Sequence, residues 1–321
     1  MIITQRRKLG HSELEVSPLS FGGNVFGWTI DENSSFEILD HFIAAGGNFI
    51  DTADVYSKWV AGNLGGESET ILGKWLISRG NRDQVVIATK VGNDMGIKGK
   101  GLSRKHIQQA VEDSLQRLQT DYIDLYQSHI DDETTPLEES LETYGELIRQ
   151  GKVRAIGASN YSAERLTQAL EISRQHGYPR YYCLQPRYNL YDRDGYEQDL
   201  QQICQEHSIG VISYSSLCSG FLSGKYRSEK DLSISLRGSS VKRYLNPRGL
   251  RILEALDEVA KIYNATPTQV SLAWLIANPT ITAPIVSATK VEQLNDIIKA
   301  VNINLDQDAI DLLNQASSSN S

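Results

Sequence analysis

The sequence predicts an α/β fold, because short apolar runs alternate with longer amphipathic segments along most of the chain after residue 30. We count eight such strand–helix units, beginning with residues 19–21 as the first strand and 33–45 as its helix. Repeated alternation predicts a parallel sheet, and eight units predict that this sheet closes on itself. The expected architecture is therefore a (β/α)8 TIM barrel.

The other seven units follow in order along the chain. Their strands are expected at residues 48–50, 84–88, 122–126, 153–156, 181–184, 210–213 and 283–286. Their helices are expected at residues 67–77, 103–118, 136–149, 162–176, 195–207, 250–263 and 291–301. Local signals support some of these boundaries, since Ser103 is a suitable N-cap and Gly151 follows the helix that begins at Pro136.

Three segments lie outside this repeat. Residues 6–17 are expected to form an N-terminal β-hairpin across the bottom of the barrel, and residues 216–248 a long loop after strand seven. Residues 267–277 are expected to add a helix before strand eight. No segment has the composition of a linker, so residues 1–321 are expected to be one domain. A doubly wound open sheet is the alternative, and it is disfavoured because no strand leads through a GxGxxG turn into a helix.

Composition narrows the class of protein. A net charge of −8 argues against general nucleic-acid binding, and no apolar run is long enough to span a membrane. The N-terminus has no apolar segment behind its positive charges, so we expect no secretory signal. Cys183, Cys204 and Cys218 do not form a disulfide or zinc pattern, and the histidines show no HxxxH spacing. We therefore expect a cytoplasmic protein without a metal site.

Polar residues end six consecutive predicted strands, and they are Asp51, Lys90, His129, Ser159-Asn160, Gln185 and Tyr214. Active sites of such barrels gather at the C-terminal ends of the strands, so these side chains are expected to meet at one mouth. Any one of them can be an ordinary polar strand end. Three titratable groups on one rim, Asp51, Lys90 and His129, indicate a catalytic site more strongly.

These residue types together can donate a proton to an oxygen atom of a substrate. Asp51 can keep a partly buried Lys90 charged, and that cation is expected to lower the pKa of Tyr56 from about 10 toward neutral. A tyrosine tuned in this way can act as a general acid, while a neutral His129 can donate a hydrogen bond to the substrate oxygen. The group contains no nucleophile with its own base, so the electron pair is expected to arrive as hydride from a nicotinamide.

The long loop carries most of the positive charge near the mouth. Eight basic residues lie between positions 225 and 251, opposed only by Glu229 and Asp231, and they are Lys225, Arg227, Lys230, Arg237, Lys242, Arg243, Arg248 and Arg251. They can form a clamp for a pyrophosphate or a 2′-phosphate, or they can belong to an ordinary solvated loop. The glycines of residues 219–225 can let the backbone approach a phosphate.

Four aromatic residues follow strands one, two and six. Trp28 and Trp59 lie in the first two loops, and Tyr188 and Tyr191 lie after strand six. They can line an apolar substrate pocket, or they can pack within their own loops.

Six short motifs on six strands resemble the successive signatures of the aldo-keto reductase superfamily. They are Asp51-Thr52-Ala53-Asp54-Val55-Tyr56, Ala88-Thr89-Lys90, Gln127-Ser128-His129, Gly157-Ala158-Ser159-Asn160, Leu184-Gln185-Pro186-Arg187-Tyr188-Asn189 and Tyr214-Ser215-Ser216-Leu217. The resemblance runs from about residue 9 to residue 313, in the expected order and spacing. Within the superfamily the chain looks like the branch of bacterial enzymes and potassium-channel β-subunits.

The resemblance implies a role for each matched residue. Tyr56 is the expected acid–base, Lys90 and Asp51 tune it, and His129 orients the carbonyl. From their loop positions, Trp28 and Trp59 are expected to join Tyr56 and His129 in substrate binding. The cofactor is expected to be NADPH. The residues implied to hold its nicotinamide end are Gly23, Asn24, Asp51, Ser159, Asn160, Gln185 and Tyr214. Those implied for its pyrophosphate and adenosine phosphate are Ser215, Leu217, Ser219, Gly220, Lys225, Arg237, Ser287, Thr289, Lys290, Gln293 and Asp296.

The sequence departs from the superfamily pattern at four positions. Relatives usually have proline at Ser216, glycine at Ser287, glutamate at Asp296 and asparagine at Ile297. An isoleucine cannot make the hydrogen bond to adenine that an asparagine makes. The preference for NADPH over NADH is therefore expected to rest on Thr289, Lys290 and the basic loop.

The leading hypothesis is reduction of a small aldehyde or ketone to an alcohol, with NADPH as hydride donor and Tyr56 as acid. The alternative is an NADPH-binding regulatory or redox-sensing subunit in which reductase chemistry is vestigial. A third reading is a barrel isomerase that forms a Schiff base at Lys90, but it explains neither Tyr56 nor Tyr214. We expect a monomer or weak homo-oligomer with no nucleic-acid or membrane partner. The physiological substrate and the reaction direction do not follow from the sequence.

Overall fold

The computed structural model describes residues 2–319, and eight parallel strands form its central sheet. A two-stranded hairpin precedes them, made of β1 (Arg7–Lys8) and β2 (Glu15–Val16). The barrel strands are β3 (Ser20–Gly22), β4 (Phe49–Asp51), β5 (Val86–Val91), β6 (Ile123–Ser128), β7 (Val153–Ser159), β8 (Cys183–Gln185), β9 (Gly210–Val211) and β10 (Ile285–Val286). Each barrel strand from β3 to β8 pairs in parallel with the next one along the chain.

The sheet closes between its first and last strands. β10 pairs with β3, with Val286 opposite Phe21. On its other side, the N–H of Ile285 donates to the carbonyl oxygen of Ser213 at 2.8 Å, just beyond the end of β9. The predicted (β/α)8 TIM barrel with an N-terminal hairpin is confirmed.

Helices surround the barrel, and most lie where the apolar periodicity predicts them. They are α1 (Glu32–Ala44), α2 (Glu67–Arg79), α3 (Arg104–Leu118), α4 (Leu137–Arg149), α5 (Ala163–His176), α6 (Asp194–Glu197), α7 (Leu200–Glu206), α8 (Gly238–Val241), α9 (Pro247–Ile262), α10 (Pro267–Ala277), α11 (Val291–Lys299) and α12 (Gln307–Ser317). Ser103 caps α3 as expected, since its side chain accepts from the N–H of His106. Short 3-10 turns and α8 occupy the long loop before α9.

Two helices differ from the sequence prediction. The expected helix over residues 195–207 is divided into α6 and α7, because Asp199 has a φ of −130° and leaves the helical range. Tyr196 is buried there, and its hydroxyl donates to Thr280 Oγ1 at 2.8 Å. The second difference is α12, which was not predicted, although Asp306 caps it and Leu313 is buried beneath it.

The apolar side chains form two groups, one between the strands and the helices and one inside the barrel. Leu9, Leu14 and Val16 of the hairpin region belong to the inner group, so the hairpin closes the bottom of the barrel as predicted. Gly10 permits this close approach, because a Cβ there would lie 2.4 Å from the carbonyl oxygen of Tyr182. The bottom is therefore sealed, and the polar strand ends face the open mouth.

Candidate active site

The side chains of Asp51, Tyr56 and Lys90 meet at the mouth of the barrel. Lys90 Nζ lies 2.7 Å from Asp51 Oδ2 and donates to the carbonyl oxygen of Thr52 at 2.7 Å and to the Tyr56 hydroxyl at 3.0 Å. Lys90 and Asp51 are both buried, so little water screens their ion pair. Three donated bonds use all three ammonium hydrogens and fix Lys90 against the phenol oxygen.

The other oxygen of Asp51 is held by two glutamine side chains. Asp51 Oδ1 accepts from Gln185 Nε2 at 2.9 Å and faces Gln127 Nε2 at 3.4 Å. Gln127 belongs to one of the six motifs, but no role was predicted for it. The two-residue period of β6 could have identified Gln127, because it turns this residue to the same inner face of the barrel as Leu125.

The expected decrease in the pKa of Tyr56 is wrong. Burial raises the pKa of Tyr56 well above 10, and the carboxylate of Asp51 raises it further. The expected decrease rested on the Lys90 cation alone, at 3.0 Å from the hydroxyl, whereas the carboxylate of Asp51 also lies nearby, with Oδ2 at 3.3 Å. Tyr56 is consequently protonated at neutral pH, which is the form that a proton donor needs.

His129 follows β6 and faces Tyr56, with the two ring centroids 6.0 Å apart. Burial and the nearby charge of Lys90 hold the pKa of His129 well below 6.5. Its Nδ1 is buried and has no hydrogen-bond partner among residues 2–319. The imidazole is therefore neutral, as the sequence analysis required for a group that orients a carbonyl oxygen.

Two tryptophans continue the aromatic contact between Tyr56 and His129 toward solvent. Trp28 packs edge-on against Trp59 with centroids 5.5 Å apart, and Trp59 packs against Tyr56 at 6.1 Å. Tyr188 and Tyr191 do not join them. Tyr188 is fully buried beside Trp274 and donates to Glu197, and Tyr191 packs against Tyr244. For this second pair, loop packing is the correct interpretation.

Hydrogen bonds join four of the predicted nicotinamide-binding residues, which are Ser159, Asn160, Gln185 and Tyr214. Tyr214 donates to Asn160 Oδ1 at 2.8 Å, and Asn160 Nδ2 donates to the carbonyl oxygen of His129 at 3.0 Å. Ser159 Oγ donates to the carbonyl oxygen of Gln185 at 2.9 Å. Asn160 has a φ of +57°, a left-handed conformation that asparagine tolerates better than most residues. Hydrogen bonds thus link the ends of β6, β7 and β8 around one edge of the mouth.

The segment after β9 turns sharply over the rim. Ser215, Cys218 and Ser219 have positive φ angles, and Gly220 follows at +94°. Ser216 Oγ donates to the carbonyl oxygen of Ile285 at 2.7 Å, so the hydroxyl that stands where relatives have proline ties this segment to β10. Leu217 packs partly into the outer core beneath it.

The basic loop does not form one large clamp. Several of its cations have internal partners: Arg227 pairs with Asp257, Lys242 with Glu229, Arg243 faces Asp192, and Arg248 and Arg251 donate to carbonyl oxygens at the end of α12. Within residues 2–319, Lys225 and Arg237 form no ion pair with a carboxylate. The Arg237 guanidinium lies 5.0 Å from the centre of the Trp28 ring, and its buried Nη2 has no hydrogen-bond partner in this part of the chain. An unpaired, partly buried guanidinium suits a phosphate group.

The loop after β3 contacts the segment that follows β10. Ser287 Oγ donates to the carbonyl oxygen of Gly22 at 2.7 Å and lies 2.8 Å from Oδ1 of Asn24. Gly23 is buried between them and α2, where a Cβ would lie 2.9 Å from Ser68 Oγ. These contacts bring Gly23, Asn24 and Ser287 close together where β3 and β10 end.

The remaining predicted residues surround the start of α11. Lys290 is exposed at its N-cap position, and Thr289 donates through N and Oγ1 to Gln293 Oε1 at 2.9 and 3.0 Å. Asp296 instead accepts from Thr266 and Gln269 at the cap of α10. Ile297 is buried in the outer core. Of this set, Thr289, Lys290 and Gln293 lie together at the N-terminal end of α11.

The residues present suit a nicotinamide dinucleotide, since the loops after the barrel strands supply a guanidinium nitrogen without a partner among the described residues, a tight backbone turn and the aromatic ring of Tyr214. Within residues 2–319, no cluster of three or more His, Cys, Asp or Glu side chains is arranged to hold a metal ion. No helix of this described part is long and apolar enough to cross a membrane.

Comparison with known proteins assigns the chain to a family. The model of the Aldo/keto reductase family matches residues 18–318. The chain is 36% identical to an uncharacterized oxidoreductase, YrpG, of Bacillus subtilis over 95% of this chain and 94% of that protein. It is 34% identical to a putative voltage-gated potassium channel subunit beta of Schizosaccharomyces pombe, covering 92% and 87%. It is 31% identical to norsolorinic acid reductase B of Aspergillus parasiticus, covering 98% and 85%. The chain belongs to the Aldo/keto reductase family and is an oxidoreductase by that membership.

Proposed function

We propose that this protein reduces an aldehyde or ketone to an alcohol with NADPH, and that Tyr56 is the general acid. The observation that carries the proposal is the meeting of a protonated Tyr56, a buried Lys90–Asp51 pair and a neutral His129 at one mouth. Tyr56 and His129 have the charge states that protonation of a carbonyl oxygen needs.

The chain's own residues divide the work of the reaction. His129 directs the carbonyl oxygen by a hydrogen bond, and Tyr56 gives that oxygen its proton. Lys90 stabilises the phenolate left on Tyr56, since its ammonium already donates to the phenol oxygen at 3.0 Å. Asp51 holds Lys90 in this position. Bound NADPH would supply the hydride to the carbonyl carbon.

The cofactor site is proposed on the same geometry. Ser159, Asn160 and Gln185 would bind the carboxamide, and Tyr214 would stack on the nicotinamide ring. Ser215, Leu217, Ser219, Gly220, Lys225 and Arg237 would cover the pyrophosphate, with Gly23 and Asn24 at the ribose. Thr289, Lys290 and Gln293 would receive the 2′-phosphate near Ser287. Asp296 is the weakest member of the proposed set, because its carboxylate is engaged at the cap of α10.

The substrate surface is proposed to be apolar. Among residues 2–319, ten large hydrophobic side chains are exposed, and six of them lie on loops at the C-terminal ends of the strands. They are Trp59, Leu64, Ile97, Ile130, Ile234 and Leu236. Exposed apolar side chains gathered at one end of a protein mark a binding surface. We propose a small-molecule carbonyl compound with an apolar substituent as substrate, bound against Trp28, Tyr56, Trp59 and His129.

Cytoplasmic location and a monomeric or weakly associating state remain parts of the proposal. The cysteines support a reducing compartment, since all three are free and buried. The net charge of −8 supports a small-molecule partner over a nucleic acid.

A panel of carbonyl compounds tests the proposed function. Purified protein is mixed with NADPH and with aliphatic and aromatic aldehydes, methylglyoxal, aldoses and pyridoxal, and oxidation of NADPH is followed optically. We expect at least one compound to be reduced with a kcat of about 1 s⁻¹ or more. Tight NADPH binding with no carbonyl-dependent oxidation would contradict the proposal.

That second outcome would favour the regulatory alternative. One observation supports it, which is the similarity to a protein described as a potassium channel subunit beta. We do not propose the Schiff-base reading, because Lys90 is fully buried and its ammonium is held by Asp51, Thr52 and Tyr56.

A further inference from the structure

One buried carboxyl group near the site has no part in the proposed chemistry. Asp54 lies two residues before Tyr56 in the loop after β4, and it is 1% exposed. Neither of its carboxyl oxygens has a hydrogen-bond partner among residues 2–319. Its backbone N–H donates to the carbonyl oxygen of Lys90 at 3.3 Å, so its own loop is attached to the strand that carries the catalytic lysine.

The charges around Asp54 are already balanced without it. Asp51 pairs with Lys90 at 2.7 Å, and Glu69 pairs with Arg117 at 2.7 Å. Glu69 is fully buried, and its other oxygen accepts from Thr89 Oγ1 at 2.6 Å. An ionised Asp54 would be a third buried carboxylate beside two cations, with no salt bridge of its own. A buried charge without a partner is costly, so the neutral acid is the form that this environment favours.

The groups that face Asp54 come from every element packed around it. They are Glu69 on α2, Lys90 on β5, Arg117 on α3, Tyr126 on β6, Tyr144 on α4 and Tyr56 in its own loop. Burial raises the pKa of Asp54 to about 8, and the carboxylate of Glu69 adds to this effect. Arg117, Lys90 and the N–H of Val55, which faces the carboxyl group outside hydrogen-bond geometry, act in the opposite direction without cancelling the increase.

We propose that Asp54 is a positioning residue kept as a neutral carboxylic acid, so that Asp51 alone directs the Lys90 ammonium toward Tyr56. The effect on catalysis rests on the proposed function, whereas the charge state of Asp54 does not. When Asp54 loses its proton, a second carboxylate attracts Lys90 from the layer outside the barrel. That attraction weakens the stabilisation of the Tyr56 phenolate, and proton delivery slows.

The pH dependence of the rate follows from a single ionisation. In the wild type, kcat/KM for a carbonyl substrate falls about tenfold between pH 7 and pH 9, because an acid with a pKa of about 8 keeps only about a tenth of its protons at pH 9. Asp54→Asn carries no ionisable group at this position, so its kcat/KM stays level over the same range.

The experiment combines infrared spectroscopy with pH–rate profiles. Difference infrared spectra between pH 6 and pH 10 are recorded for the wild type, Asp54→Asn and a second variant, Asp54→Ala, in case the asparagine disturbs folding. Asp124→Asn is the matched control, because Asp124 is equally buried but is paired with Arg82 and Arg154. We expect a protonated-carboxyl band at the lower pH in the wild type and in Asp124→Asn, and its loss in both Asp54 variants.

Each result decides part of the proposal. A band that depends on Asp54, together with level rate profiles in the Asp54 variants, supports it. Absence of the band overturns the neutral acid. A band with the same alkaline decrease in wild type and Asp54 variants overturns the positioning role and leaves a structural one. If the wild type reduces no carbonyl compound at any pH, the proposed function fails, and the infrared spectra still decide the charge state of Asp54.

Discussion

Lys90 donates a hydrogen bond to the Tyr56 hydroxyl across 3.0 Å, which fixes where the proton of that phenol can go. The phenol oxygen is an acceptor toward Lys90, so its own hydrogen must point elsewhere. Its partner among the described residues is Asp51 Oδ2, at a long 3.3 Å. A carbonyl oxygen arriving at the mouth can take over this weak bond, which is the geometry that a proton donor requires.

The buried pair formed by Asp51 and Lys90 should be strongly coupled in stability. Asp51→Asn or Lys90→Met leaves one buried charge without its partner, and each should reduce the free energy of unfolding by about 3 to 5 kcal/mol. The double variant should lose less than the sum, with a coupling energy of about 2 kcal/mol. Urea unfolding of all four proteins measures this coupling. Strictly additive losses would show that the two side chains do not act as a pair.

The pKa shifts of Asp54 and Asp132 should make the free energy of unfolding depend on pH in opposite directions. The pKa of Asp54 is raised to about 8, above the unfolded value of about 3.9. The folded protein therefore keeps a proton that the unfolded chain releases, so this contribution is fully present below pH 4 and is lost as the pH rises through 8. Replacing Asp54 with Asn should stabilise the protein relative to wild type increasingly from pH 4 to pH 8.

Asp132 provides the opposite case. Burial alone would raise its pKa, but hydrogen bonds from Thr134, Thr135 and the N–H of Leu102 lower it to about 2. Its contribution is therefore present above pH 4 and is lost as the pH falls through 2. Asp132→Asn should be less stable than wild type at neutral pH, with a difference that shrinks in acid. Thermal unfolding from pH 2 to pH 9 checks both signs, and parallel curves for all three proteins would contradict both.

Lys290 should decide between the two nicotinamide cofactors. It is exposed beside Thr289 at the start of α11, where we propose that the 2′-phosphate binds. Removing one charged contact to a phosphate should weaken NADPH binding by about 10- to 100-fold in Lys290→Met, because hydrogen bonds to charged groups contribute about 1.5 to 3 kcal/mol. NADH binding should change little. Titration of protein fluorescence measures both dissociation constants, and equal losses would remove Lys290 from the phosphate site.

Trp59 should determine how well large apolar substrates bind. Its ring is half exposed and packs against Trp28 and Tyr56. Trp59→Ala should lower kcat/KM for an aromatic aldehyde by about 3- to 10-fold more than for a short aliphatic one, since an aromatic pair contributes about 0.5 to 1.5 kcal/mol. Ile262→Ala is the control, because Ile262 is also an exposed apolar residue but lies at the C-terminal end of α9. Equal losses for both aldehydes would exclude Trp59 from the substrate surface.

The sequence was sufficient for the barrel and for the positions of the proposed catalytic side chains. Strand-end placement located Asp51, Lys90 and His129 on one rim, because parallel strands bring their C-terminal ends to the same face. It was insufficient for charge states. The high pKa of Tyr56 depends on how deeply the phenol is buried and on the distance to Asp51, and neither follows from spacing along the chain.

Residues whose role depends on distant partners were also hard to assign. Arg248 and Arg251 looked like part of a phosphate clamp, but they donate to carbonyl oxygens of α12, about 65 positions later in the chain. That helix was itself not predicted. Asp296 was assigned to the cofactor, and it is bonded to the cap of α10. Local patterns carry no signal for such long-range contacts.

The central claim is that Tyr56 donates the proton in an NADPH-dependent reduction, and replacing Tyr56 with Phe tests it most directly. The measurement is the rate of NADPH oxidation with the best carbonyl substrate, beside the NADPH dissociation constant of the same preparation. The account predicts that kcat falls by about 10²- to 10⁴-fold while NADPH binding stays nearly unchanged. Turnover close to that of the wild type would contradict it.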